Sequence, residues 1–474
     1  MLLLLLSCFV DIGRQGKIFC YDPTDSTHDS DITKNTSVFL QGEKEDDLAG
    51  NFIAVGDVDG DDGDDILIGA PGNDLAGVDA GKAYLMLART LPPGGIGQHI
   101  ISLGNADYVF LGEREGDRAG FAGASGDIDG DGKADILIGA PGNDDGGEDA
   151  GKLYLFLGSG LQGGQTFSLV DADYVFLGEN EGDNIGESIS LGDVDGDGKA
   201  DILIGAKQHN SAAGKTYLIL GSSIADSQTI NLADADYMFI GEASNDQSGS
   251  SVANTGDVDG DGKDDILIGA PGNVAQGADT GKTYLILSSS LDGESEHSLS
   301  SVDKTLTGDN TYKDIGSMVS FIDDIDGDAK AEIVVRGSDF NETESTLHLF
   351  LSASSTSASI PASGSILFSG EFLSLLYNNL YVFNENDGVK IYLLNTDLSQ
   401  IEWEWEDSSL SHVDSIGVKA IEGAKLQTES VETLLIADPI AIEFTGEGYY
   451  IDDKLGAVYM IYPCQSPFPS STED

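Results

Sequence analysis

Carboxylates recur at alternate positions of a nine-residue segment five times along this chain, beginning at Asp57, Asp127, Asp193, Asp257 and Asp324. That spacing is metal-ligand chemistry. In the second segment Asp127, Asp129, Asp131 and Asp135 hold positions 1, 3, 5 and 9, and Lys133 at position 7 offers a backbone carbonyl. The first segment places Asp57, Asp59, Asp61, Gly63 and Asp65 at those positions. The third places Asp193, Asp195, Asp197, Lys199 and Asp201, and the fourth Asp257, Asp259, Asp261, Lys263 and Asp265. The fifth reads Asp324, Asp326, Asp328, Lys330 and Glu332, with Ala329 where glycine belongs. Its longer carboxylate and stiffer turn predict a weaker site than the other four.

Gly130 and Gly132 let the second segment curl tightly enough for its oxygens to converge, which a residue with a Cβ would resist. Calcium takes six to eight oxygens at ~2.3–2.6 Å in irregular geometry, whereas magnesium demands a smaller, stricter octahedron. The segments contain no His or Cys, which removes zinc and copper from consideration. An EF-hand would need a bidentate Glu at position 12 and flanking helices. Position 12 is instead Ile68, Ile138, Ile204 and Ile268 in the four clear copies. These are calcium loops of another kind.

The elements that must position them are strands. Each clear loop runs into ILIGA, a short apolar run ended by Gly-Pro in three copies, which reads as a buried strand. GKAYLML, GKLYLFL, GKTYLIL and GKTYLIL follow at 81–87, 151–157, 214–220 and 281–287. Next come ADYVFLGE at 106–113 and 172–179 and ADYMFIGE at 235–242. A glycine (Gly50, Gly120, Gly186, Gly249, Gly316) then opens the strand leading into each loop. Four short strands per period of about 64–70 residues predict an all-β propeller of four-stranded blades.

These units resemble the FG-GAP repeats of the integrin α-subunit β-propeller, also found in bacterial integrin-like proteins. The GAP half stands at Gly69–Pro71, Gly139–Pro141 and Gly269–Pro271. The FG half keeps its glycine without its phenylalanine, at Ala49–Gly50, Ala119–Gly120, Ile185–Gly186 and Ser248–Gly249. The similarity spans roughly residues 36 to 463. It implies that each metal loop joins the first two strands of a blade, that all five lie on one rim, and that partners dock on the opposite face.

Counting the divergent units, ILFSGEFLSLLYNNLYVFNENDGVKIYLL and the one containing TLLIADP (433–439) and GAVYMIY (456–462), gives seven blades. The last unit lacks a fourth strand and SVFLQG (37–42) lacks earlier ones, so the N-terminal strand is expected to complete the last blade and close the ring. The expected organisation is a leader at 1–8, an unassigned segment at 9–35, the propeller at 36–464 and a tail at 465–474. Cys20 and Cys464 flank the ends that must meet, which makes them the disulfide candidates in an oxidising compartment, with two free thiols as the alternative. MLLLLLSC resembles the tail of a secretory signal, and its end resembles a lipoprotein box with Cys8 as the lipidated residue. No stretch approaches the ~20 apolar residues of a membrane-spanning helix.

Eighty-three acidic residues against 23 basic ones give a net charge of −60, so most carboxylates are solvated surface. Such a chain repels itself unless salt or bound cations intervene, which fits adaptation to brine or an acidic face that recruits a basic partner. Nucleic acid is excluded on sign. Loops 72–82, 142–152 and 272–282, which the resemblance puts on the face opposite the metals, are Gly-rich and acidic without aromatic anchors. Trp403 and Trp405 alternate with Glu as in a strand.

The six His occupy no shared repeat position, and no nucleophile–base motif appears. The expected function is therefore a secreted or cell-surface, calcium-stapled adhesion module for a protein or glycan ligand, and not an enzyme. The alternatives are a lyase- or phospholipase-associated propeller and a structural coat element.

Overall fold

The computed structural model describes the side chains of residues 40–338 apart from short stretches, the longest at 92–100 and 322–328, and elsewhere only the backbones of separate strands. Four consecutive sheets share one antiparallel plan. The first runs Ile53–Gly56, Asp65–Ala70, Lys82–Met86 and Tyr108–Leu111. The second runs Gly123–Gly126, Asp135–Ala140, Lys152–Phe156 and Tyr174–Leu177. The third is Ser188–Gly192, Asp201–Ala206, Lys215–Ile219 and Tyr237–Ile240. The fourth is Ser251–Gly256, Asp265–Ala270, Lys282–Ile286 and Lys304–Thr307. These are propeller-like units in an all-β chain.

The second strand of each explains the packing. All six residues of each DILIGA strand are buried, because its two faces are covered by different neighbours. Alternate side chains of a strand point to opposite sides. Ile66 and Ile68 accordingly join Tyr84 and Met86 on one side. Leu67 and Leu85 point the other way, into a layer with Ile136, Ile138, Tyr154 and Phe156 of the second sheet. Burying both faces of one strand requires a sheet on either side, so no repeat can fold its core alone.

The close approach of adjacent sheets accounts for the two glycines that define the repeat. A Cβ on Gly69 would lie 2.1 Å from the carbonyl oxygen of Gly120, and one on Gly269 would lie 2.0 Å from that of Gly316. Within a sheet, the Gly120 amide donates to the Gly139 carbonyl at 2.9 Å. Gly120 also holds φ +83°, a left-handed backbone that glycine adopts without penalty. The FG glycine of one repeat thus meets the GAP glycine of the repeat before it.

Each of these four sheets carries a fifth strand that the four-strand reading lacks. Thr166–Ser168 lies between the third and fourth strands of the second sheet, yet pairs in parallel with Tyr108–Leu111 of the first. Thr229–Asn231, Glu296–Ser298 and Ala358–Ser359 do the same to the second, third and fourth sheets. After the first three of these straps comes a fully buried leucine (Leu169, Leu232, Leu299) in a 3₁₀ turn, which pins the connection.

Further along, Tyr312–Ile322, Glu332–Asp339, Ser345–Phe350 and Ser365–Phe368 form a four-stranded sheet. Residues 366–368, read above as opening the first of the two divergent units, belong here to the fifth sheet. Trp403 and Trp405 lie in the strand Ile401–Asp407, which pairs with Val389–Leu394, itself paired with Tyr381–Asn384. The strand Ser37–Gln41 pairs antiparallel with Ala457–Ile461, in a sheet completed by Ala420–Ala424, Thr433–Asp438 and Gln98–Ser102.

In the N-terminal segment, Cys8–Asp11 pairs with Lys17–Cys20 and sets Cys8 opposite Cys20 in register. Residues 1–7, Cys464 and the tail lie outside the described residues, as do the side chains of Cys8 and Cys20, so the Cys20–Cys464 pairing and lipidation at Cys8 fall there too. Among the described residues no helix is long and apolar enough to cross a membrane.

Candidate metal centres

Every described loop joins the first and second strands of its sheet, so all four sit at the end of the sheets where the DILIGA strands begin. Position 1 organises the turn. Asp57 Oδ1 accepts from the amides of Gly60 (2.7 Å) and Asp61 (2.9 Å), and its Oδ2 accepts from Asp62 (2.8 Å). Asp127, Asp193 and Asp257 repeat the pattern. Position 5 accepts from the position-7 amide, as in Asp131 Oδ1 with Lys133 and Asp61 Oδ1 with Gly63. Lys199 and Lys263 bond Asp197 and Asp261 in the same way.

The loops bring three carboxylates together in each copy. Oxygens of Asp57, Asp59 and Asp61 lie within 4.8 Å of one another, as do those of Asp193, Asp195 and Asp197. The second and fourth loops gather Asp127, Asp129 and Asp135, and Asp257, Asp259 and Asp265, within the same distance. An all-oxygen set of this kind suits a hard divalent cation. In the fifth loop Asp324, Asp326 and Asp328 lie outside the described residues, while Lys330 and Glu332 are described and Glu332 is fully buried.

Position 9 does more than the alternate-ligand pattern predicts. Asp135 is fully buried, with Oδ2 accepting from Ile128 (2.8 Å) and Asp129 (3.1 Å) and Oδ1 from Gly158 (2.9 Å). Asp65, Asp201 and Asp265 likewise accept from the position-2 amide and from the amides of Ala88, Gly221 and Ser288. Burial pushes these carboxyls up, to about 7 at Asp65 and Asp201 and about 6 at Asp135 and Asp265, against the lowering effect of the amide donors. Position 9 is the internal brace of the loop, tying it to the turn after the third strand. Burial also raises Asp129, and neighbouring Asp131 and Asp127 add to the rise while Lys199 opposes it.

The loops are joined to one another, which sequence reasoning missed. The position-8 amides of Ala134, Ala200, Asp264 and Ala331 donate to the position-1 carbonyls of Asp57, Asp127, Asp193 and Asp257 in the preceding loop, at 2.7–2.9 Å. The stems of Lys133, Lys199, Lys263 and Lys330 cover Gly60, Gly130, Gly196 and Gly260, where an added Cβ would stand 3.0–3.3 Å from a lysine methylene carbon. Lys133 Nζ donates to the Asp59 carbonyl at 2.8 Å. The signal available was the recurrence of Lys at position 7, read above only as a carbonyl.

At the opposite end of the sheets a second polar set recurs, and it is a joint rather than a site. Lys82, Lys152, Lys215 and Lys282 begin the third strands and pair with Glu43, Glu113, Glu179 and Glu242 at 2.6–3.1 Å. Each ammonium also stands 4.6–4.9 Å from the ring centre of the tyrosine two residues on. Buried Asn73, Asn143 and Asn273 bond buried Asp47, Asp117 and Asp246, with His209 against Asp183 in the third copy. Around this joint the loops expose Leu75 and Val78 in the first repeat and Val274 in the fourth, each more than half accessible.

The FG-GAP repeat model matches residues 49–86, 119–156, 185–219 and 248–286, the four repeats with described metal loops. Integrin alpha-PS5 of Drosophila melanogaster is 32% identical over 172 residues, 35% of this chain and 16% of the relative. Integrin alpha pat-2 of Caenorhabditis elegans is 29% identical over 236 residues, 47% of this chain and 18% of the relative. Integrin alpha-4 of Xenopus laevis is 28% identical over 265 residues, covering 54% of this chain and 22% of the relative. The chain thus spans about a fifth or less of the length of these relatives.

Proposed function

We propose, from the premise that this chain is an FG-GAP repeat protein of the integrin α-like kind, that it is an extracellular calcium-stapled propeller that presents a protein-binding face. The observation that carries this is the convergence of three carboxylates in each of four successive loops at one end of the sheets. Calcium at those loops offsets carboxylates that repel one another and fixes the first hairpin of each blade. The converging carboxylates would hold the ion, at positions 1, 3 and 5 in the first and third loops and at positions 1, 3 and 9 in the second and fourth, with position 7 adding a carbonyl. A fifth, weaker ion belongs to the loop at Asp324–Glu332.

The ring has seven blades, and the strand Ser37–Gln41 supplies the outer strand of the last one. Its pairing with Ala457–Ile461 supports that reading. The ligand docks at the end opposite the metals, where Leu75, Val78 and Val274 stand among acidic residues, an arrangement suited to an apolar anchor flanked by basic groups. The module has no catalytic role of its own, and it resides outside the cell, where millimolar calcium fills sites of modest affinity.

The test is the thermal melt of the purified chain at fixed high ionic strength, in millimolar calcium and then in chelator. The expected outcome is a large fall in Tm on chelation, restored by calcium and not by magnesium. An unchanged Tm would sink the calcium reading.

A further inference from the structure

The first metal loop differs from the third and fourth in what faces its position-3 carboxylate. The side chain of Arg89, in the turn Ala88–Thr90 after the third strand, forms an ion pair with Asp59. The corresponding turns are Gly158–Gly160, Gly221–Ser223 and Ser288–Ser290, with serine in the place of the arginine. In the third and fourth repeats the contact is neutral: Ser222 Oγ donates to Asp195 Oδ2 at 3.4 Å, and Ser289 Oγ to Asp259 Oδ2 at 3.2 Å. Lys133 adds a second positive group on the Asp59 carbonyl. A lysine of the following loop covers each of the four loops alike, so Arg89 is what sets the first apart from the third and fourth, where a hydroxyl meets the carboxylate.

The same loop is also the most crowded with negative charge. It reads DVDGDDGDD, with Asp62 and Asp64 added at positions that hold glycine and alanine in the second and third loops. Asp62 takes φ +67° where the others place glycine, so an aspartate occupies a left-handed position there. Without a counter-ion, six carboxylates in nine residues would drive the loop open. Arg89 lies where it relieves that repulsion.

We propose that Arg89 is a resident counter-cation of the first loop, stabilising it when metal-free and competing with calcium for Asp59. The inference rests on the calcium reading above and deepens it. A divalent ion entering this loop must displace or repel the guanidinium, whereas entry into the third and fourth loops disturbs only a hydroxyl. The loop at 57–65 is then the weakest of the four, although it carries the most acidic residues. Among these four it is the loop whose occupancy changes first as calcium falls. Arg89 is a positioning residue here, acting on the metal through Asp59.

The experiment is calorimetric titration of the full chain with calcium chloride, together with Arg89→Ser and Asp61→Ala. Asp61 is exposed, so its loss removes one ligand of the first loop with little effect on folding. The expected result is that Asp61→Ala deletes the weakest of the phases that belong to the first four loops. Arg89→Ser, which installs the residue of the other turns, should tighten that phase by about fivefold, the scale of one exposed ion pair. Its metal-free Tm should fall while its calcium-loaded Tm holds.

If Arg89→Ser leaves the phase unchanged or weaker, or if Asp61→Ala deletes a tight phase, the proposal is overturned and the calcium reading stands. If no chain takes up calcium at all, the calcium reading itself fails.

Discussion

Lys133 Nζ donates to the main-chain carbonyl of Asp59 at 2.8 Å, across 74 residues of sequence. Two consecutive metal loops are thereby joined by a side chain whose own carbonyl lies at a ligand position of the second loop. Whatever orders the second loop also orders the cation it lends to the first. Lys133→Met keeps the stem that covers Gly60 and removes the charge. The loss of about 1 kcal/mol expected for one charged hydrogen bond at a partly exposed site corresponds to a Tm drop of a degree or two in a chain of this size. Differential scanning calorimetry in chelator should show the drop, and a variant as stable as the parent would mean that the contact adds nothing.

Positions 5 and 9 of one loop should part company. Asp131 is exposed, whereas Asp135 is buried with both oxygens bonded to amides on two sides of the loop. An amide at 135 must turn its NH₂ toward one of those N–H groups, a cost of about 1–3 kcal/mol. Asp135→Asn is expected to lower Tm in chelator as well as in calcium, and Asp131→Asn only in calcium. Equal sensitivity of both variants to chelator would refute the brace assigned to position 9.

Gly139→Ala tests the meeting of adjacent sheets. Its Cβ would lie 2.5 Å from the Gly186 carbonyl oxygen, and both groups are backbone, so a sheet must shift. The expected cost is about 2–4 kcal/mol, in the range of severe overpacking. Denaturant unfolding of Gly132→Ala, where no atom lies within 4 Å, gives the comparison: there only the φ of +87° is strained, at about 1 kcal/mol. Similar losses in the two variants would show that backbone conformation, not contact, makes these glycines necessary.

Lys152 sits between Glu113 (3.1 Å) and Asp145 (2.9 Å), and both it and Glu113 are nearly inaccessible. Removing its charge leaves a buried carboxylate unpaired. Lys152→Met is expected to cost about 3–5 kcal/mol, independent of calcium. Glu113→Gln with Lys152→Met should recover part of it, and a double variant no better than the single one would argue against the pair as the cause.

The parts legible in the sequence were those written as residue types with fixed spacing. Asp127, Asp129 and Asp131 announce the loop because a small cation needs converging oxygens. The ILIGA run announces the central strand because both its faces must be covered. The straps were not legible: TFS, TIN and EHS are three residues each, too short for any alternation to register, and their place is set by Leu169, Leu232 and Leu299 dropping into the core. Arg89 was missed for a different reason. It lies outside the repeated motif, and its meaning comes only from standing where the later repeats carry serine, across a turn from Asp59. The lysines at position 7 were noticed, but their side chains reach a neighbouring repeat, and a periodic pattern read along one repeat says nothing of what crosses to the next.

The strap at Thr166–Ser168 belongs by sequence to one period and by pairing to the sheet before it. The unit of inheritance is therefore not the unit of folding. A tandem duplication of one period, wherever its ends fall, copies a strap with every sheet and returns each to a neighbour of the same shape. A row built this way can lengthen by whole periods without leaving an unmatched edge at the seam. Loss of part of a period would uncover the outer strand of a sheet encoded intact elsewhere.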